Sequence, residues 1–236
     1  MKSMTYGKKS GWGAVVGILG GLLLAVFAGE SSAVFAVPEP LLIDDFEGSE
    51  TKNNLDNRAN VFLKAPSKAM VSRRQESING HLSTVLLLRY EKQQSGGPYD
   101  GGGWCGYYTL LKSPGALVAP TEENPDPGPI DEQFLDASAY SMITFWIKGE
   151  KGDENCVIGL SDRHWDRVGD SVKSQEIGEY LPEGKITTQW QKATIPFSEY
   201  FVDYSQLAAV SIVFDGDLFS AAGHAGTIYF DDITIE

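Results

Sequence analysis

Six short runs rich in β-branched and aromatic residues constrain this chain more than any other feature. They are STVLLLRYE (83–91), SMITFWIKG (141–149), NCVIGLSD (155–162), WQKATIPF (190–197), AAVSIVFD (208–215) and GTIYFDDITI (226–235). Such residues favour a pleated, half-buried surface, and turn residues separate the runs. Alternation is explicit in one of them. Ile143, Phe145 and Ile147 fall on one face of an extended chain, and Thr144, Trp146 and Lys148 fall on the other. Long helical periodicity is absent, and VKSQEIGEYL (172–181) reads as one short helix or an extended loop. The Gly cluster SGGPYDGGGW (95–104) and the five-Pro stretch within 112–131 are loops, because Pro cannot sit inside a paired strand. The second lies between predicted strands, so 112–134 reads as an insertion within one domain. Many short strands with Gly/Pro turns indicate an all-β fold, an antiparallel β-sandwich.

The first 36 residues read as a separate segment. Lys2, Lys8 and Lys9 precede the apolar run AVVGILGGLLLAVFAG (14–29), and Val34-Phe35-Ala36 follows it. A basic start, an apolar middle and small residues at the −3 and −1 positions make a secretory signal peptide. An uncleaved N-terminal anchor is the other reading, although the run is short for a membrane span of about 20 residues. Residues 37–236 are then one exported domain, secreted, periplasmic or at the cell surface, with no membrane contact after cleavage. Removing Lys2, Lys8, Lys9 and Glu30 takes the formal net charge from −13 to −15. That balance argues against nucleic acid and anionic membranes, and suits an uncharged ligand and a bound cation. Cys105 and Cys156 both stand in strand-like runs of the exported part. They are either one inter-strand disulfide or two buried thiols.

Four motifs in order carry a resemblance: LLIDDFEGSE (41–50), LDASAYSMITFWIKGE (135–150), TTQWQKATIPFSEY (187–200) and GTIYFDDITIE (226–236). The chain resembles carbohydrate-binding modules with the galactose-binding-like jelly roll, nearest to family 11, the β-glucan-binding modules of bacterial cellulases. It is also similar to the domain of complex I intermediate-associated protein 30. The resemblance implies a jelly roll whose first and last strands meet, often around a structural calcium. Asp45, Glu47 and Asp231 fall on the matching positions. Carboxylates in apolar strands need a partner, and calcium takes six to eight oxygen ligands. Backbone amides and solvent are the alternative partners.

Sugar binding needs flat aromatic surfaces and fixed polar groups. YDGGGWCGYYTLL (99–111) offers Tyr99, Trp104, Tyr107 and Tyr108. If Cys105 and Tyr107 face one side, Trp104, Gly106 and Tyr108 face the other, and Gly106 leaves room for a sugar ring between the two aromatic platforms. LSDRHWDRVGDS (160–171) reads as a strand ending near Asp162 followed by a loop. Asp162, Arg163 and His164 would then be hydroxyl partners and Trp165 a stacking ring. Trp146 and Lys148 are assigned to the same face from a neighbouring strand. His81, His164 and His224 share no metal-ligand spacing, and no nucleophile, phosphate-loop or dinucleotide motif occurs. The reading is an exported non-catalytic module that binds a polysaccharide or oligosaccharide, with calcium as a fold clamp. Its rivals are an interaction module for an envelope protein and a glycosidase, whose acid pair would stand about 5–10 Å apart.

Overall fold

The computed structural model describes residues 38–97, 102–117, 129–130, 132–215, 218 and 223–236. The expected signal segment (1–36), Tyr99 and most of the 112–134 insertion lie outside the described residues. In chain order the strands are β1 (Leu41–Asp44), β2 (Ala59–Leu63), β3 (Lys68–Ile78), β4 (His81–Gln93), β5 (Cys105–Leu110), β6 (Ala116–Leu117), β7 (Pro129–Ile130), β8 (Met142–Gly149), β9 (Val157–Asp162), β10 (Val172–Glu176), β11 (Gln191–Pro196), β12 (Leu207–Phe214) and β13 (Gly223–Ile235). One short helix, α1 (Arg163–Val168), lies between β9 and β10.

Two antiparallel sheets form the sandwich. The first has the order β11-β8-β13-β4-β3, with β1 pairing the end of β13; the second has the order β10-β9-β12-β5-β2. The alternation in the sequence decides the inner faces. Ile143, Phe145 and Ile147 of β8, Leu86 and Leu88 of β4 and Ile228 and Phe230 of β13 are buried from the first sheet. Ile158 and Leu160 of β9, Val210, Ile212 and Phe214 of β12 and Tyr107 of β5 meet them from the second. Each full burial of such a side chain contributes about 1.5–3 kcal/mol before entropy is charged against it. The β-sandwich expected from the strand-like runs is therefore the fold.

The edge strand β3 is polar, with Lys68, Arg73, Arg74 and Glu76 along it. Charge on an edge discourages pairing with a second molecule. Asn79 (φ 51°) and Gly80 (φ 83°) turn β3 into β4 with Ile78 opposite His81, the two-residue turn whose twist matches the strands.

Two sequence expectations are corrected and one open alternative, that of the cysteines, is decided. The segment 172–181 is a strand followed by a 3-10 turn, Ile177–Tyr180. Residues 163–167 are helical instead of a loop. Cys105 and Cys156 are buried free thiols. The reason is topological: β12 runs between β5 and β9, and Phe214 stands opposite Cys105. Strands two places apart in a sheet are separated by roughly 9–10 Å, beyond the reach of a disulfide.

Candidate ligand-binding site

A groove of about 580 Å³ crosses the outer face of the second sheet. The pairing register builds it row by row, since directly paired residues share a face. Asn60, Tyr108, Ser211, Gly159 and Lys173 are successive partners across the sheet. Phe62, Gly106 and Val213 make the adjacent row, and Leu110, Ala209 and Ser161 the one on the other side. Small residues therefore form the floor, and the long side chains stand at the two margins.

The aromatic margin consists of Phe62, Trp104 and Tyr108. Trp104 keeps 41% of its surface exposed and stands 5.6 Å from the Phe62 ring at 57°. Sequence reasoning left Phe62 out. A Cβ on Gly106 would lie 2.5 Å from the Phe62 ring, so the space above Gly106, expected to be open for a ligand, belongs to Phe62. Tyr107 points the other way, into the core, where its hydroxyl donates to Asp44 at 3.4 Å.

The polar margin comes from α1 and the segment after it. The Ser171 and Ser211 hydroxyls lie 3.4 Å apart. They meet above Gly159, where a Cβ would come within 2.3 Å of each. Glycine at 159 is what allows the 169–171 segment to lie on the sheet. Lys173 pairs with Asp170 at 2.9 Å. Lys112 pairs with Asp166 and Glu132, each at 2.6 Å. Arg58, Lys112 and Lys173 face Asp166, Asp170 and Asp215 around the groove. This lining is balanced in charge although the chain carries −13.

Of the residues singled out from the sequence, Trp104 and Tyr108 are brought together and the others are not. Trp146 and Lys148 belong to β8, which pairs β11 and β13 in the first sheet, not β9. They face outward from that sheet. Lys148 Nζ there contacts Glu76 at 2.9 Å and lies 4.7 Å from the Tyr229 ring and 5.2 Å from the Trp190 ring. Asp162 is the N-cap of α1. Its Oδ1 accepts from the amides of His164 and Trp165, and its Oδ2 from the amide of Asp203. It is thus a structural tie, not a partner for ligand hydroxyls. Arg163 reaches toward Gln206 and the Phe134 ring, and His164 packs edge-on against Trp165. Neither they nor Trp165 line the groove, whose helix contact is Asp166. Asp162→Ala is expected to cost about 1–3 kcal/mol through the lost cap and the orphaned Asp203 amide. Trp165→Ala is expected to leave ligand affinity unchanged. Thermal melts and titration calorimetry on the two variants check both; a binding loss confined to Trp165→Ala would reverse the assignment.

The acidic residues gather where the first and last strands, β1 and β13, meet. β13 pairs β4 up to Phe230 and β1 from Ile233, and it bulges at Asp231–Asp232 as it changes partner. Asp231 is fully buried. Its Oδ2 accepts from the Ser83 hydroxyl at 2.6 Å and its Oδ1 from the Asp232 amide. Burial pushes its carboxyl up to about 7, and the charges of Asp232 and Glu47 add to this. Burial likewise raises Asp44 to about 6. Glu47 is held below the usual range by the Thr84 amide and hydroxyl. Asp45 accepts from the Glu47 amide and from Asn54. No salt bridge among the described residues reaches Asp45, Glu47, Asp231 or Asp232. Such a donor set has the chemistry for a hard cation. As placed, however, no three His, Cys, Asp or Glu side chains converge on one point among the described residues.

Comparison with known proteins agrees with this architecture. The family model Carbohydrate binding domain 30 matches residues 129–236, somewhat under half of the chain. The family 11 carbohydrate-binding module of the cellulosomal cellulase Lic26A-Cel5E of Clostridium thermocellum superposes with a TM-score of 0.52 at 13% identity, over 84% of this chain and 94% of that one. The family 11 module from the same organism in complex with a β-1,3-1,4-mixed-linked tetrasaccharide gives 0.52 and 13% over 83% and 94%. No curated protein matches the chain. The resemblance to carbohydrate-binding modules thus holds, as a shared jelly roll with family 11 and as a sequence match to family 30 over the C-terminal part.

Proposed function

We propose that residues 37–236 are an exported, non-catalytic carbohydrate-binding module that holds an uncharged, β-glucan-like polysaccharide in the groove of the second sheet. The observation that carries this reading is the groove's makeup: an aromatic margin of Phe62, Trp104 and Tyr108 facing hydroxyls and ion-paired side chains across a floor of small residues. Aromatic faces suit the apolar faces of pyranose rings, and the Ser161, Ser171 and Ser211 hydroxyls suit sugar hydroxyls. The balanced charge of the lining favours a neutral polymer over a polyanion. The family match over 129–236 supports the same class. Calcium as a clamp on Asp45, Glu47 and Asp231 belongs to this proposal; its support is four clustered carboxylates without an ion-pair partner. Its role is stability, since it would tie β1 to β13.

Affinity electrophoresis against mixed-linked β-glucan, xylan and a polyuronate tests the reading. Retardation by a neutral glucan and not by the polyuronate is expected. Free migration in every gel would sink it.

A further inference from the structure

The groove does not end cleanly at its Leu110 end. Arg58 lines both it and a second depression, whose other walls are Thr51, Lys52, Leu55, Asp56, Asn57, Ser113 and Pro114. This depression is built on a fixed turn. Asn53 is buried, and its amide donates to the Thr109 hydroxyl at 2.7 Å and to the Leu110 carbonyl at 2.8 Å. Its carbonyl oxygen accepts from the amides of Leu55 and Asn57, each at 3.0 Å. The loop 51–58 is thereby pinned to β5, the strand that carries Tyr108. Arg58 is exposed and takes part in none of the salt bridges among the described residues, whereas the groove lysines are paired.

We propose that the second depression is an extension subsite for the same glycan chain. The chain leaves the aromatic margin past Tyr108 and Leu110, crosses Arg58 and sets its next sugar units against Lys52 and Ser113. No aromatic ring lines this depression, so these units are held by hydrogen bonds alone. The Arg58 guanidinium, with donors in a fixed fork, suits two adjacent ring hydroxyls. The subsite adds affinity by making a second contact intramolecular once the groove is filled. This inference rests on the carbohydrate-binding reading above.

The test is a length series by titration calorimetry: a mixed-linked β-1,3-1,4 tetrasaccharide and the corresponding hexa- and octasaccharide. The wild-type chain is expected to bind the longer two several-fold more tightly. Ser113→Trp fills the depression from an exposed position, and Lys52→Ala removes a contact while breaking only an exposed ion pair to Asp56, worth little. Both variants are expected to keep the tetrasaccharide affinity, and Ser113→Trp to abolish the gain with length. Equal affinity of the wild type for all three lengths, or an undiminished gain in Ser113→Trp, overturns the extension subsite and leaves the groove reading intact. Absence of binding at every length overturns both.

Discussion

Asp231→Asn is expected to raise the melting temperature at pH 8 and to flatten the pH dependence of stability. The sign follows from burial. An aspartate in the unfolded chain titrates near 3.9, whereas burial pushes folded Asp231 up to about 7 and Asp44 up to about 6. The folded state therefore binds these protons more tightly than the unfolded state. Stability is greatest while both forms are protonated, and falls as pH rises from about 4 through about 7. At 1.36 kcal/mol per unit, Asp231 alone costs on the order of a few kcal/mol at pH 8. Asparagine has the same shape, keeps a partner for the Ser83 hydroxyl and carries no charge to desolvate.

A cation reverses this sign. Calcium bound only to the folded state would stabilise it by an amount that grows as the logarithm of its concentration relative to Kd. It would do so most at pH 8, where the carboxylates are charged. Melting the wild type and Asp231→Asn at pH 5 and pH 8, in EDTA and in calcium, therefore separates the two effects. In EDTA the variant is expected to be the more stable at pH 8. In calcium the order is expected to invert. Indifference of the wild type to calcium would remove the clamp and leave the pH slope standing. Identical pH profiles for the two proteins would remove the burial argument itself.

The balance between what the sequence disclosed and what it hid has physical causes. Ile143, Phe145 and Ile147 announced their face because alternation is a local property of an extended chain. Pairing is not local. Residues 141–149 and 155–162 adjoin in sequence, yet β8 and β9 lie in different sheets, so Trp146 and Lys148 do not share a face with Trp104 and Tyr108. Two further local signals are present in the sequence. Asn79-Gly80 marks the β3–β4 hairpin, and Asp162 with Gly169 brackets α1 as an N-cap and a left-handed C-cap (φ 73°). Read that way, Asp162 is committed to backbone amides before any ligand arrives. The groove's Ser161, Ser171, Ser211 and Phe62 carried no signal. Serines and a lone Phe become a site only when strands far apart in sequence bring them to one row.

Removing the aromatic margin is the largest expected loss of ligand binding. Trp104→Ala is expected to weaken affinity for a neutral β-glucan oligosaccharide by roughly 10–100-fold, the range for truncating a central aromatic anchor. Tyr108→Ala should follow the same direction. The two side chains sit four residues apart on or beside β5, about 13 Å along an extended chain. Under the proposed function they would therefore meet different sugar units of one polymer. Because those units belong to one chain, the double variant is expected to lose more than either single one. Trp104 is 41% exposed, so its truncation opens no core cavity, and the melting temperature should move little. Trp146→Ala is the control: a half-buried Trp on the outer face of the opposite sheet, whose removal should leave affinity unchanged. Loss of binding in the control with none in Trp104→Ala would move the ligand to the first sheet, where Lys148, Trp190 and Tyr229 already pack against one another. That packing is the argument against it. A Lys ammonium held between two rings and a carboxylate has its interactions satisfied within the protein, while Trp104 stays 41% exposed at the margin of a groove that also holds the Ser161, Ser171 and Ser211 hydroxyls.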